Sequence, residues 1–190
     1  MSSPAEALKK FLGVLDRMEI PYEVGGSVAS SLHGVPRMTM DVDLVVDLKA
    51  EQVEEFAGLL QAEFYADAPT IADALARGRP FNVIHLASSY KLDVFPLRED
   101  AYSRMEFGRR RHAQIENLGP EAIECAVATA EDTILRKLEW YRAGGEMSER
   151  QWTDLRGILN VSGGGLDRGY LHRWAAFLKV GDLLDRLLAE

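Results

Sequence analysis

The sequence predicts an α+β fold: a mixed β-sheet flanked by helices over residues 1–130, followed by a C-terminal helical segment over 131–190 that packs on it. Three observations predict it. Over Asp41–Leu48, apolar Val42, Leu44 and Val46 alternate with Asp41, Asp43, Val45 and Asp47, the period of a half-buried strand. Near the start, Leu8, Phe11, Leu12 and Leu15 recur at helical spacing. Past residue 130 every apolar pattern is helical.

The elements follow in order. Residues 4–19 form an amphipathic helix that Pro21 ends, and Tyr22–Val24 is a short strand broken by Gly25-Gly26. Ser27 is placed to cap a short helix, Val28–His33, closed by Gly34 and Pro36. The strand Asp41–Leu48 precedes a helix over 50–64 with Val53, Phe56, Ala57 and Leu60 on one face, and a shorter helix over 70–77. Phe81–Ala87 and Tyr90–Phe95 read as a hairpin across Ser88-Ser89, with further strands near Arg111–Glu116 and Ile123–Val127. Then come helices at Glu131–Arg142, after Ser148, from Asp167 to about Lys179, and from Asp182, with Gly163-Gly164-Gly165 as a loop.

Composition narrows the class. The chain has 190 residues, 47% hydrophobic and 27% charged, an ordinary globular mix that excludes disordered, collagenous and coiled-coil architectures. The single cysteine, Cys125, rules out an intramolecular disulfide and a cysteine-rich zinc site, and it reads as a small buried residue. The longest charge-free run, Val24–Pro36, is too short and polar to span a membrane, and the N-terminus lacks a basic start and an apolar core. A bacterial-type cytoplasmic protein without membrane contact is expected. The net charge is −8, of which residues 1–130 carry −7, which argues against a broad phosphate-backbone track. Arg109-Arg110-Arg111 is the one dense basic run, read either as a solvated strand end or as a phosphate or nucleic-acid contact. There is no G-x-x-x-x-G-K-[ST], G-x-G-x-x-G or H-E-x-x-H motif, and the four histidines are scattered. Trp140, Trp152 and Trp174 sit at helical positions suited to the core.

The chemistry concentrates between Val24 and Val46. Asp41 and Asp43 are two apart on a strand, so both carboxylates face one way, roughly 6–7 Å apart along the chain, with Val42 and Leu44 turned to the core. Two carboxylates on one face need a neutraliser, and a hard cation such as Mg²⁺ takes oxygen ligands. Asp93, in Lys91-Leu-Asp-Val, faces away from the core in the same manner, and would lie ~5 Å sideways if its strand neighbours the first. Upstream, Gly25-Gly26 and Ser27 set unobstructed backbone N–H groups at a helix start, a place for phosphate. Together these features suit a nucleoside triphosphate bound with its metal.

The stretch resembles the signature of the DNA polymerase β-like nucleotidyltransferases. Gly26-Ser27 is followed after 13 residues by Asp41-Val-Asp43-Leu, with Asp93 on a later strand. It is most similar to AbiEii-type and related stand-alone bacterial proteins, through Gly25-Gly-Ser-Val-Ala-Ser, Arg37-x-Thr-x-Asp41-x-Asp43, the Glu131–Leu138 helix with Lys137, and Gln151-Trp-Thr-Asp154-Leu.

The resemblance implies nucleotidyl transfer from an NTP to a hydroxyl acceptor (RNA, protein or small molecule), with pyrophosphate released. Asp41, Asp43 and Asp93 would be the catalytic residues and hold two Mg²⁺ ions. Gly25, Gly26 and Ser27 would cradle phosphates, with Lys137 reaching the triphosphate. Arg37 has two roles open, the triphosphate or a tie from its loop to Asp43. Read on their own, Lys137 is equally an exposed helix lysine, and Asp154 a surface partner of Arg150 or Arg156. The alternative function is a catalytically silent binding module of this fold, such as a toxin–antitoxin component. An RNA or protein partner, or a second protomer, is compatible with either.

Overall fold

The computed structural model describes residues 4–39, 41–116, 118–119 and 121–190. Among these residues the chain builds a seven-stranded mixed sheet with nine α-helices. The first half runs α1 (Pro4–Arg17), β1 (Tyr22–Val24), α2 (Gly26–His33), β2 (Asp41–Val46), α3 (Val53–Leu60), β3 (Phe64–Tyr65), α4 (Ala68–Ala76), β4 (Phe81–His85) and β5 (Lys91–Pro96). Next come α5 (Ala101–Arg109), β6 (Arg111–Ile115) and β7 (Ile123–Val127). The chain closes with α6 (Ala130–Ala143), α7 (Glu149–Ser162), α8 (Arg168–Phe177) and α9 (Gly181–Leu188).

Strand order is β3-β4-β5-β2-β1-β7-β6. The β2–β5 and β1–β7 pairs are parallel and the others antiparallel. Period-two patterning does what it should in β2. Val42, Leu44 and Val46 are buried with Leu92 and Val94 of β5, while Asp41, Asp43 and Val45 lie on the other face. The buried face packs with α1 and α3 in one core, where Phe11 meets Phe56 and Phe64 edge-on at 5.9 and 6.1 Å. A second core joins Tyr102 of α5 to Ile134, Leu135 and Leu138 of α6, Leu155 and Ile158 of α7, Leu171 of α8 and Leu183, Leu184 and Leu187 of α9. Side-chain caps start most later helices: Asp67, Asp100, Thr129, Ser148 and Asp167 each accept from the backbone N–H three residues on.

The structure departs from expectation in a few places. Two elements are additional, β3 and α5. Helix α5 is polar, with Ser103 and Glu106 buried beside Tyr102 and Phe107, so it lacks the apolar stripe that periodicity detects. Ser27 is not a cap, because α2 begins at Gly26 with Gly25 before it and no side-chain cap bond. Strand β2 ends at Val46, and Asp47 turns to Lys49 at 2.6 Å. Helix α9 starts one residue before Asp182. Cys125 is buried, with its thiol pushed up to about 12 by burial. Among the described residues no helix is long and apolar enough to cross a membrane.

Candidate active site

The site forms where β1 gives way to α2. The Gly25 N–H donates to the Asp43 carbonyl at 2.9 Å, which extends the β1–β2 ladder to the turn. Gly26 then enters α2 at φ +54°, and a Cβ there would stand 1.8 Å from Asp43 Oδ2. Conformation and space both demand glycine. The Ser27 N–H donates to the Asp43 carboxylate, so the start of α2 and the carboxylate face each other.

Strand β5 is the parallel neighbour of β2, and the register sets Asp93 beside Asp43 and Lys91 beside Asp41. Asp43 is held above the usual carboxylate range, first by burial and then by the Asp93 charge. Lys137 and the Ser27 N–H pull the other way. Asp93 is neutralised by Lys91, whose Nζ donates to its two oxygens at 2.9 and 2.7 Å, and that contact raises the lysine. Among the described residues no three metal-ligating side chains converge on a single point. The donor set of Asp41, Asp43 and Asp93 is nonetheless all hard oxygen on one sheet face. Asp93 already draws a positive partner in the Lys91 ammonium, and the chemistry of this oxygen set suits a hard cation such as magnesium.

The opposite wall comes from α6 and α7. Lys137 is buried rather than exposed, and it donates to Asp154 Oδ2 at 2.8 Å. Burial holds its ammonium below the ordinary lysine value against the pull of Asp154. Arg37 does not tie its loop to Asp43. Its guanidinium grips both Asp154 oxygens at 2.8 Å and donates to Ser27 Oγ at 2.7 Å. Asp154 therefore faces inward, not toward Arg150 or Arg156. Burial raises its carboxyl, but Arg37 and Lys137 more than offset this and hold it below the usual range. Helix α7 comes this close because Gly34, at the end of α2, meets Gly157. A Cβ on Gly34 would stand 2.8 Å from the Gly157 backbone.

A cleft of about 450 Å³ runs from this cradle along the sheet face, within the ordinary range for small-molecule sites. Gly25, Gly26, Ser27, Arg37, Asp43, Lys137 and Asp154 line one part of it. Its other lining residues include Glu23, Val45, Phe95, Glu106, Arg136 and Trp140, while Asp41 and Asp93 do not line it. Trp140 is 47% exposed, not a core residue, and makes an edge contact with Phe95 at 6.1 Å. Glu23, Glu106, Arg136 and Lys91 gave no sequence signal, since charged residues in strands and polar helices read as solvated faces.

The arginine run is a solvated strand end only at Arg111, which opens β6; Arg109 and Arg110 belong to the end of α5. Arg109 closes α5 and is spent on Glu131 and the fully buried Asp132, lying 3.9 Å over the Tyr170 ring. Arg110 lies over the Phe107 ring at 4.1 Å and donates to the Phe107 carbonyl. Of the three, Arg111 alone stays exposed, on edge strand β6.

Neither a protein-family model nor a curated protein matches the sequence. Solved structures do match the fold. A crystal structure of ANT(2'')-Ia in complex with adenylyl-2''-tobramycin is similar at TM-score 0.53 and 16% identity, covering 91% of this chain and 95% of that one. An antigenic nucleotidyltransferase-like protein from Paracoccidioides brasiliensis is similar at TM-score 0.53 and 17% identity, covering 98% and 93%. The lincosamide antibiotic adenylyltransferase LnuA, lincomycin-bound, is similar at TM-score 0.52 and 14% identity, covering 85% and 100%. The likeness is one of fold: this chain folds as nucleotidyltransferases do.

Proposed function

We propose that the protein is a magnesium-dependent nucleotidyltransferase, moving a nucleoside monophosphate from an NTP to a hydroxyl group with release of pyrophosphate. The observation that carries this reading is the in-register pair Asp43–Asp93, with Asp43 pressed against the glycine-led start of α2. A scaffold has no use for two neighbouring carboxylates, one of them half-buried beside a helix N-terminus.

Asp41, Asp43 and Asp93 would hold the magnesium, two ions for this reaction, which supplies charge neutralisation at the transferring phosphoryl group. Gly25, Gly26 and Ser27 would flank the β- and γ-phosphates, with no side chain on the two glycines to keep them away; the Gly25 N–H stays with the Asp43 carbonyl, and a Ser27 N–H bond to phosphate would replace its present one to the Asp43 carboxylate. Lys137 and Arg37, steered by Asp154, add positive charge on the far wall. Asp93 takes the proton of the attacking hydroxyl on a carboxylate oxygen. The acceptor oxygen freed of that proton bonds to the α-phosphorus as the bond to pyrophosphate breaks. Most of the rate would come from positioning and electrostatics.

We read residues 1–130 as the nucleotidyltransferase-like unit and 131–190 as the helical wall that closes the cleft. Gly25–Ser27, Arg37–Asp43 and the Gln151–Leu155 segment support kinship with the AbiEii-type proteins. Two proteins of like fold, ANT(2'')-Ia with adenylyl-2''-tobramycin and LnuA with lincomycin, support a hydroxylated acceptor here.

The test is calorimetry of each ribonucleoside triphosphate with Mg²⁺, on wild type and on Asp41→Ala/Asp43→Ala. Binding that requires Mg²⁺ and disappears in the double variant is expected. A folded wild type that binds none of the four overturns the reading in favour of a silent binding module.

A further inference from the structure

Two buried carboxylates lining the cleft, Glu23 and Glu106, are not used by the proposed chemistry, and Arg136 holds Glu106 but not Glu23. Glu23 is 1% exposed, it lines the cavity, and its Oε2 has no hydrogen-bond partner among the described residues. A buried oxygen without a partner is costly, so it is a position waiting for a donor. The charges around it are already arranged. Arg136 of α6 holds Glu106 of α5 through Nε at 3.0 and 2.8 Å, and donates to Ser103 Oγ at 2.7 Å. None of these side chains donates to Glu23.

Its place along the sheet says which part of a ligand arrives there. Glu23 pairs with Val45 of β2, and Val45 pairs with Phe95 of β5. This row lies two residues beyond the Asp43–Asp93 row on the same face, ~7 Å further from the turn. The cleft that holds the phosphate cradle continues to Glu23, Phe95 and Trp140 and leaves out Asp93, where the acceptor hydroxyl would come in. A nucleotide whose phosphates lie at Gly25–Ser27 and whose α-phosphorus lies at Asp43 therefore extends its nucleoside toward Glu23. The half-exposed indole of Trp140, edge-on to Phe95, offers a flat apolar flank there.

Resting on the nucleotidyl-transfer reading above, we propose that Glu23 reads the nucleobase of the bound triphosphate, by pairing its carboxyl with the donor and acceptor edge of the base beside Trp140. Every nucleobase carries such an edge. The acid is pushed up to about 9, first by burial and then by Glu106 and Asp132, with Arg110 and Arg136 opposing. It therefore meets the base as a neutral group with one donor and one acceptor, which a glutamine reproduces.

The experiment compares Mg²⁺-dependent binding of the four ribonucleoside triphosphates with that of inorganic tripolyphosphate, which has the phosphates and no base. Wild type, Glu23→Gln and Glu23→Leu are measured by calorimetry, each checked for folding by circular dichroism. Wild type is expected to bind its best nucleotide more tightly than tripolyphosphate. Glu23→Leu should lose about tenfold or more on that nucleotide and nothing on tripolyphosphate, the loss set by one unpaired buried partner. Glu23→Gln should stay within about threefold of wild type on both. Nucleotide affinity unchanged in Glu23→Leu overturns the proposal, as does equal loss on nucleotide and tripolyphosphate. Wild type binding tripolyphosphate as tightly as every nucleotide overturns it too, and leaves the nucleotidyl-transfer reading standing. Wild type binding neither probe takes down both.

Discussion

Arg37 and Asp154, 117 residues apart in the chain, hold each other through two parallel hydrogen bonds of 2.8 Å. The fork leaves one carboxylate edge for Lys137, so two cations share a single anion and the group keeps a net positive charge toward the phosphate cradle. Asp154 thereby fixes where both cations point.

Removing that anion should be costly. Asp154→Ala strands two cations, one of them the buried Lys137, and the loss of a partner from a buried pair costs about 3 kcal/mol. Urea unfolding at pH 7 checks this. Arg37→Lys should also destabilise, because a single ammonium cannot reproduce the fork onto Asp154 while still reaching Ser27. Wild-type stability in both variants would mean the triad is not closed in solution.

Asp43 should show the opposite balance between stability and function. Burial and the Asp93 charge both oppose its ionised form. Asp43→Asn removes that repulsion and leaves an amide oxygen for the Ser27 N–H. The free protein should gain about 1 kcal/mol in unfolding free energy. Wild type should gain melting temperature with Mg²⁺ and a triphosphate, since a ligand that binds only the folded state stabilises it. Asp43→Asn should gain none. Thermal unfolding with and without Mg²⁺ and nucleotide reads both signs in one series.

Gly26→Ala should fail on two counts. At φ +54° an alanine is strained by about 1–3 kcal/mol, and its Cβ would displace the Asp43 carboxylate. Stability and Mg²⁺-dependent nucleotide binding should fall together. Gly25→Ala meets no atom within 4 Å of a new Cβ, so it should remain folded and serves as the control for stability alone.

These side chains differ in how far the sequence announces them. Asp41, Asp43 and Asp93 were legible because strand period, turn glycines and apolar flanks are all local. The pairing of β2 with β5 rested on one conditional step, that the two strands are neighbours, and the register supplies it. The triad of Arg37, Lys137 and Asp154 was not legible. Each residue alone has an ordinary surface reading, and their meeting depends on the close approach of Gly34 to Gly157 across 123 positions. Helix α5 was invisible because its buried side includes Ser103 and Glu106, satisfied by Arg136 from a different helix. Glu23 escaped for a related reason: in a three-residue strand buried throughout, a charged residue cannot be told from ordinary alternation.

The same Glu23 should give the protein a characteristic pH dependence of stability. Its carboxyl sits near 4.5 when exposed and is pushed up to about 9 in the fold, by burial first, then by Glu106 and Asp132, with Arg110 and Arg136 opposing. Glu106 is raised to about 7 by burial, with Arg136 pulling it down. Both groups bind a proton more tightly folded than unfolded. Their contribution is therefore fully present below the unfolded value and is lost as pH rises toward the folded one. Stability should fall between about pH 5 and pH 9, by at most about 1.4 kcal/mol per pH unit for each group over its own window. Glu23→Gln removes one titrating group without changing shape, so it should flatten the upper part of this profile, between about pH 7 and pH 9. It should also be more stable than wild type at pH 9, since no charge then has to form in the cleft floor. Urea unfolding across this range on both proteins measures the slopes. Parallel profiles would show that Glu23 is already ionised in the fold, and that a positive group pairs with it in solution.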